Sequence, residues 1–149
     1  MDRFQDFLNH LSPLIDLSLY AEKKRAVRIG VNEMLHVQLE DDEPKERILL
    51  ATLIQEVPAG KYRENLFKEC LKANLPYPRI GTFAYVERNN QLALFDYLYY
   101  AHLTPEKSAD LLALFIEKAL LWKQAIQKGV LPLISDSEIK LDHTAFGVR

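Results

Sequence analysis

Four histidines, one cysteine and a run of acids are the side chains here whose types could carry chemistry. His10, His36, His102 and His143 could bind a metal or move protons near neutral pH. They lack ligand spacing and fall in different elements, so they read as surface or capping residues. Cys70 could be a nucleophile, but it sits on the apolar stripe of a helix with no local feature to lower its pKa. It reads as a small packed hydrophobe. The run Glu40-Asp41-Asp42-Glu43 could hold a hard cation, yet Pro44 replaces the glycine turn of a calcium loop and spaced oxygen ligands are missing. That leaves a solvated turn. Lys23-Lys24-Arg25 could touch phosphate, although bases ahead of a strand more often shield a sheet edge from aggregation. Glycines 30, 60, 81, 129 and 147 are scattered, and neither a His-Glu-x-x-His pair nor a nucleophile elbow occurs. The chain is expected to carry no catalytic residues, no metal and no cofactor.

What remains is apolar surface, most of it between Ile80 and Tyr100. With Asn89-Asn90 as a two-residue turn, this stretch reads as a hairpin pairing Val86 with Ala93, Ala84 with Phe95, Thr82 with Tyr97 and Ile80 with Tyr99. Those residues share one face. Phe83, Tyr85, Leu92, Leu94, Leu98 and Tyr100 share the other, interrupted by Gly81, Asp96 and Glu87. The polar-out alternation of a half-solvated sheet is missing. One face can join the core, and the second is expected to meet a second subunit or a bound chain.

The elements that must position this hairpin follow from periodicity. Asp2 can cap a first helix whose Phe4, Phe7, Leu8 and Leu11 recur at helical spacing. Val27, Ile29 and Val31, then Leu35, Val37 and Leu39, alternate with polar residues or glycine as two half-buried strands. A three-residue loop, Asn32-Glu33-Met34, puts Val31 opposite Leu35 and Ile29 opposite Val37. Ile48 to Ile54 is apolar at nearly every position and reads as a buried central strand. A second helix follows Gly60, with Tyr62, Leu66, Phe67, Cys70 and Leu71 on one side, and ends by Asn74 and Pro76. Thr104 and Pro105 start a long third helix ending near Gly129. The expected class is α+β, in the order α-β-β-β-α-β-β-α, with a twisted antiparallel sheet packed by helices. Residues 1–129 form this domain and 130–149 an irregular C-terminal tail.

At 149 residues the chain fits one domain. A net charge of -2 recruits neither nucleic acid nor an anionic membrane, and one cysteine leaves no internal disulfide. With no signal peptide and no apolar run of about 20 residues, a cytosolic protein is expected.

The element order, the acidic turn, the second-helix segment YRENLFKECLKANL and the third-helix segment EKSADLLALFIEKALLWKQAI resemble the class I chaperones of bacterial type III secretion, the Tir-chaperone-like family. The likeness spans residues 2 to 128. The exit Gly129-Val130-Leu131-Pro132 resembles chlamydial members. Pro76-Tyr77-Pro78 replaces the family's usual glycine-rich stretch, and the charge is only mildly acidic.

The resemblance implies a dimeric chaperone of the bacterial cytoplasm that uses no ATP. It would hold the N-terminal chaperone-binding segment of a secreted effector or gatekeeper protein in extended form, for delivery to the secretion ATPase. It would pair with itself or with a sister chaperone. Carried over, the dimer interface falls on Leu66, Phe67, Cys70, Phe83, Tyr85 and Leu94. The effector-binding grooves fall on Phe4, Phe7, Leu8, Val27, Ile29, Leu35 and Val37, because so short a first helix is not expected to bury all its apolar residues. Two alternatives stand beside this one. The same fold could serve as a regulatory or adaptor module outside secretion, or the aromatic hairpin could wall a small-molecule pocket with Asp96 as its polar group.

Overall fold

The structure is a computed structural model, described over residues 2–15, 19, 25–132 and 134–139. Helix α1 (Arg3–Ile15) leads into strands β1 (Ala26–Val31), β2 (Leu35–Asp42) and β3 (Arg47–Glu56). Helix α2 (Lys61–Ala73) then precedes strands β4 (Thr82–Val86) and β5 (Gln91–Tyr99) and the long helix α3 (Pro105–Lys128). The order matches the expected one. All pairings are antiparallel in a five-stranded sheet ordered β1-β2-β3-β5-β4, so β5 returns beside β3 and leaves β4 at the edge.

Local chemistry accounts for the boundaries. The Asp2 carboxylate accepts the Phe4 and Gln5 amides at 2.8 and 3.2 Å and caps α1. Arg25 then ties that cap to the sheet, donating to Asp2 Oδ1 at 2.8 Å and to Asp41 Oδ2 at 2.9 Å. Its guanidinium holds the Asp2 carboxyl well below the usual carboxylate range. The Thr104 hydroxyl caps α3, and Gly129 ends it at φ +69. The β1–β2 register is the expected one, Val31 opposite Leu35 and Ile29 opposite Val37, with Asn32 and Glu33 at positive φ in the loop.

The β4–β5 hairpin differs from expectation. Thr82 faces Phe95 and Ala84 faces Ala93, two residues away from the two-residue-turn register. The reason is a 3-10 turn over Glu87–Asn89 followed by Asn90 in the left-handed region, which lengthens the connection to four residues. A slip of two conserves which face each side chain takes, so both apolar faces persist.

One face carries the core. Val27, Ile29, Val37, Leu39, Ile48, Leu50, Phe83, Leu92, Leu94 and Leu98 are buried with Phe4, Phe7, Leu8, Leu11 and Ile15 of α1 and Leu112, Phe115, Ile116, Ala119 and Trp122 of α3. Helices α1 and α3 pack against each other, α3 packs on β3, and α2 lies against edge strand β4. With the helices on that face, the opposite face of the sheet stays open.

Candidate functional site

The open face is read directly from the pairing. Arg28 faces Gln38, Gln38 faces Ala51, Ala51 faces Phe95, and Phe95 faces Thr82, a row crossing all five strands. The next row runs from Gly30 and His36 on β1 and β2, and pairs Leu53 with Ala93 and Ala93 with Ala84. The small side chains of Ala51 and Ala93 leave a trough of about 410 Å³ in the middle of this face, lined also by Arg28, His36, Leu53, Val86 and Phe95. Five strands at about 4.8 Å spacing make it roughly 19 Å long. Leu53, at its centre, is 48 % exposed. At one rim the Arg47 guanidinium lies 3.6 Å over the Tyr97 ring and donates to Tyr99 Oη at 3.2 Å. Arg28 keeps the β1–β2 end of the trough cationic.

The expectation that β3 is buried is therefore corrected. It is central in strand order, but Leu49 and Ala51 are only half-buried and Leu53 faces outward, because α1 and α3 pack on the other side.

A second apolar surface lies on α2. Phe67 and Leu71 share one side of α2, and Leu75 follows just beyond its end, with Leu71 68 % and Leu75 80 % exposed. Tyr77, 89 % exposed, continues the stripe into the loop. The Phe67 ring meets Tyr85 edge-on at 4.8 Å, joining the stripe to β4. Leu66 and Cys70, one position away, point into the core.

Of the residues carried over by resemblance, all but Phe67 and Tyr85 are buried in the single chain. Leu66, Cys70, Phe83 and Leu94 of the expected dimer interface are buried within the single chain, leaving only Phe67 and Tyr85 half-buried. All of the expected effector-binding residues, Phe4, Phe7, Leu8, Val27, Ile29, Leu35 and Val37, are likewise core. Helix α1 does bury all three of its leading apolar residues, because it packs against α3 and joins the common core. The apolar residues outside that set that stay exposed or half-buried, Leu49, Ala51, Leu53, Ala93 and Phe95 on the sheet and Leu71, Leu75 and Tyr77 by α2, are the partners left over once the helices have chosen a face.

The candidate chemical groups are pinned structurally. His10 Nδ1 lies 2.8 Å from the Asp6 carbonyl oxygen, His36 is exposed on the open face, and His143 lies outside the described residues. Lys23 and Lys24 also lie outside, while Arg25 is bound to Asp2 and Asp41. Asp42 pairs with Arg47 at 2.7 Å. Asp96 accepts the Gly81 amide at 3.2 Å and the Tyr97 amide at 2.8 Å, and burial raises its pKa. It lines neither the trough nor the cavity beside α3, so it acts as a backbone anchor. Burial pushes the Cys70 thiol up to about 12. The thiolate is the reactive form, so at pH 8 the native thiol is expected to react with an aromatic disulfide reagent about a thousandfold more slowly than in denaturant. Comparable rates in the two would show that Cys70 is accessible.

Fold and surfaces together define an α+β protein with two apolar surfaces outside its core. More particularly, the chain belongs to the Tir chaperone protein (CesT) family, whose model matches residues 6–123. This is a family of type III secretion chaperones, not of enzymes. No curated protein sequence matches the chain significantly. Among solved structures it is similar to a chain of the ExsC–ExsE complex, at 20 % identity and a TM-score of 0.67, covering 91 % of this chain and 100 % of that one. A second is the Yersinia pestis type III secretion chaperone SycH with a stable fragment of YscM2, at 14 % identity and a TM-score of 0.66, covering 78 % and 97 %. The HopA1–SchA chaperone–effector complex matches at 15 % identity and a TM-score of 0.64, covering 84 % and 93 %. At these identities the likeness establishes the fold. Among the described residues no helix is long and apolar enough to cross a membrane.

Proposed function

We propose that this chain is a cytoplasmic chaperone that binds the N-terminal segment of a secreted effector or gatekeeper protein on the open face of its sheet and keeps it from folding. The observation that carries the reading is the trough around Leu53, an apolar surface crossing five strands that no element among the described residues covers. Contiguous patches of this kind mark binding sites in soluble proteins. The family and the effector complexes among similar folds supply the kind of partner. A segment without its own fold can lay alternate apolar residues in such a trough, and the ordering it undergoes costs about 2–5 kcal/mol that buried apolar area must exceed. In this reading Phe4, Phe7, Leu8, Val27, Ile29, Leu35 and Val37 support the sheet from behind. Co-expression of the chain with N-terminal segments of candidate secreted proteins tests it. A stable complex that a globular domain of the same effector does not form is the expected result, and failure of every such segment to co-purify would overturn the proposal. An adaptor outside secretion would capture only proteins that are not exported. Docking on the secretion ATPase belongs to the same reading and calls for the loaded chaperone as bait.

The stripe of Phe67, Leu71, Leu75, Tyr77 and Tyr85 serves self-association in this reading, with a second copy or a sister chaperone as partner. Leu71→Glu together with Tyr77→Glu is expected to raise the dimer dissociation constant by at least tenfold, about 1.4 kcal/mol. Both side chains are exposed, so the melting temperature of the separated chains is expected to move little. Light scattering across a concentration series reads the result, and an undiminished dimer in the double variant would place the interface elsewhere.

A further inference from the structure

Three segments remote in sequence meet at one buried ammonium group. Lys118 of α3 is 1 % exposed, and its Nζ donates to the Ile80 carbonyl oxygen at 2.7 Å and lies 2.9 Å from Asp136 Oδ1. Asp136 Oδ2 accepts the Ile80 amide at 2.6 Å, so the ion pair grips both polar groups of one residue. The neighbouring Gly81 is fixed from the other side. Its amide donates to Asp96, its φ is +69, and a Cβ there would stand 2.9 Å from Leu94 Cγ. The loop between α2 and β4 is thus anchored at its far end, while Asn74 anchors the near end by exchanging two hydrogen bonds with the Phe83 backbone, at 2.8 and 3.1 Å. Leu75 and Tyr77 stand at the crest between those anchors.

Asp136 comes from the stretch 134–139, which turns once through 136–138 under a capping box of Ser135 and Glu138. Between this stretch, α2 and α3 lies a cavity of about 450 Å³. Pro76 and Pro78, the neighbours of Tyr77, form one wall, and Trp122, Ile134 and Asp136 line others. A buried lysine stripped of its counter-ion is strongly unfavourable, so the grip holds as a unit or lets go as a unit.

We propose that residues 134–139 are a strap: through Asp136 and Lys118 they lock the 74–81 loop in the shape that presents Leu75 and Tyr77, and so control docking of a second copy on the α2 surface. The coupling to docking rests on the self-association reading above. The strap itself rests on the ion pair and the cavity.

The test uses the full-length chain with Asp136→Ala, and Asp136→Asn as a milder variant that keeps an acceptor for the Ile80 amide. Three quantities are read: amide exchange at Ile80 and Gly81, emission of Trp122, the chain's single tryptophan, and the dimer dissociation constant. Asp136→Ala is expected to speed exchange at both amides at least tenfold, shift Trp122 emission to longer wavelength and weaken the dimer at least tenfold, with far-ultraviolet circular dichroism unchanged. Should that variant fail to fold, Asp136→Asn is expected to show the same three changes at smaller size. Unchanged exchange and emission would overturn the strap. Faster exchange with an unaltered dimer constant would overturn its control of docking. A wild-type chain that stays monomeric at micromolar concentration would instead overturn the self-association reading, and the exchange and fluorescence results would still decide the strap.

Discussion

Leu8→Glu is expected to leave the chain unfolded at room temperature. Leu8 is fully buried on the core side of α1, so the substitution removes a packed aliphatic side chain and places a carboxylate in the apolar core. The first loss costs about 2–5 kcal/mol. An unpaired buried charge adds several more, or shifts the pKa until the group is neutral. Domains of this size have about 5–15 kcal/mol in all. Circular dichroism at 25 °C reads the outcome. Retention of a cooperative melting transition within a few degrees of wild type, with effector binding lost, would instead make Leu8 a surface contact, as the resemblance implied.

Leu53→Glu is expected to do the reverse. Its side chain projects from the middle of the open face, so a carboxylate there stays hydrated in the free protein, and the stability change is expected within about 0.5–1 kcal/mol. Once an effector segment covers the trough, the same carboxylate must be desolvated against Ala93 and its apolar neighbours. Central interface positions carry about 2 kcal/mol or more when disrupted, which corresponds to a loss of affinity of roughly thirtyfold. Isothermal titration beside a melting curve separates the two effects. A fall in melting temperature parallel to the loss of affinity would return Leu53 to a structural role.

The contrast between these leucines shows where the sequence was legible. The β1–β2 register followed from strict alternation, because a slip of one would have put Val27 and Ile29 on the opposite face from Leu35 and Val37. Helix ends followed from Asp2, Thr104 and Gly129, residues that satisfy orphan backbone groups locally. The β4–β5 register did not follow, since nothing in Glu87-Arg88-Asn89-Asn90 distinguishes a two-residue turn from a 3-10 turn closed by Asn90. The excess of apolar surface was legible, but its address was not. Leu66 and Phe67 lie one position, about 100°, apart on α2, and only the packing of α2 on β4 decides which goes inward. In the same way, both faces of β3 look apolar until α1 and α3 are seen to share one of them.

The most direct test of the account is hydrogen exchange of the full-length protein, free and bound to the N-terminal segment of its effector. Protection is expected to rise in β3 around Ala51 and Leu53 and in β5 from Ala93 to Tyr97, while α1, already buried, changes little. Protection confined to α1, with the open face exchanging as in the free chain, would contradict the assignment of the sheet as the effector-binding surface.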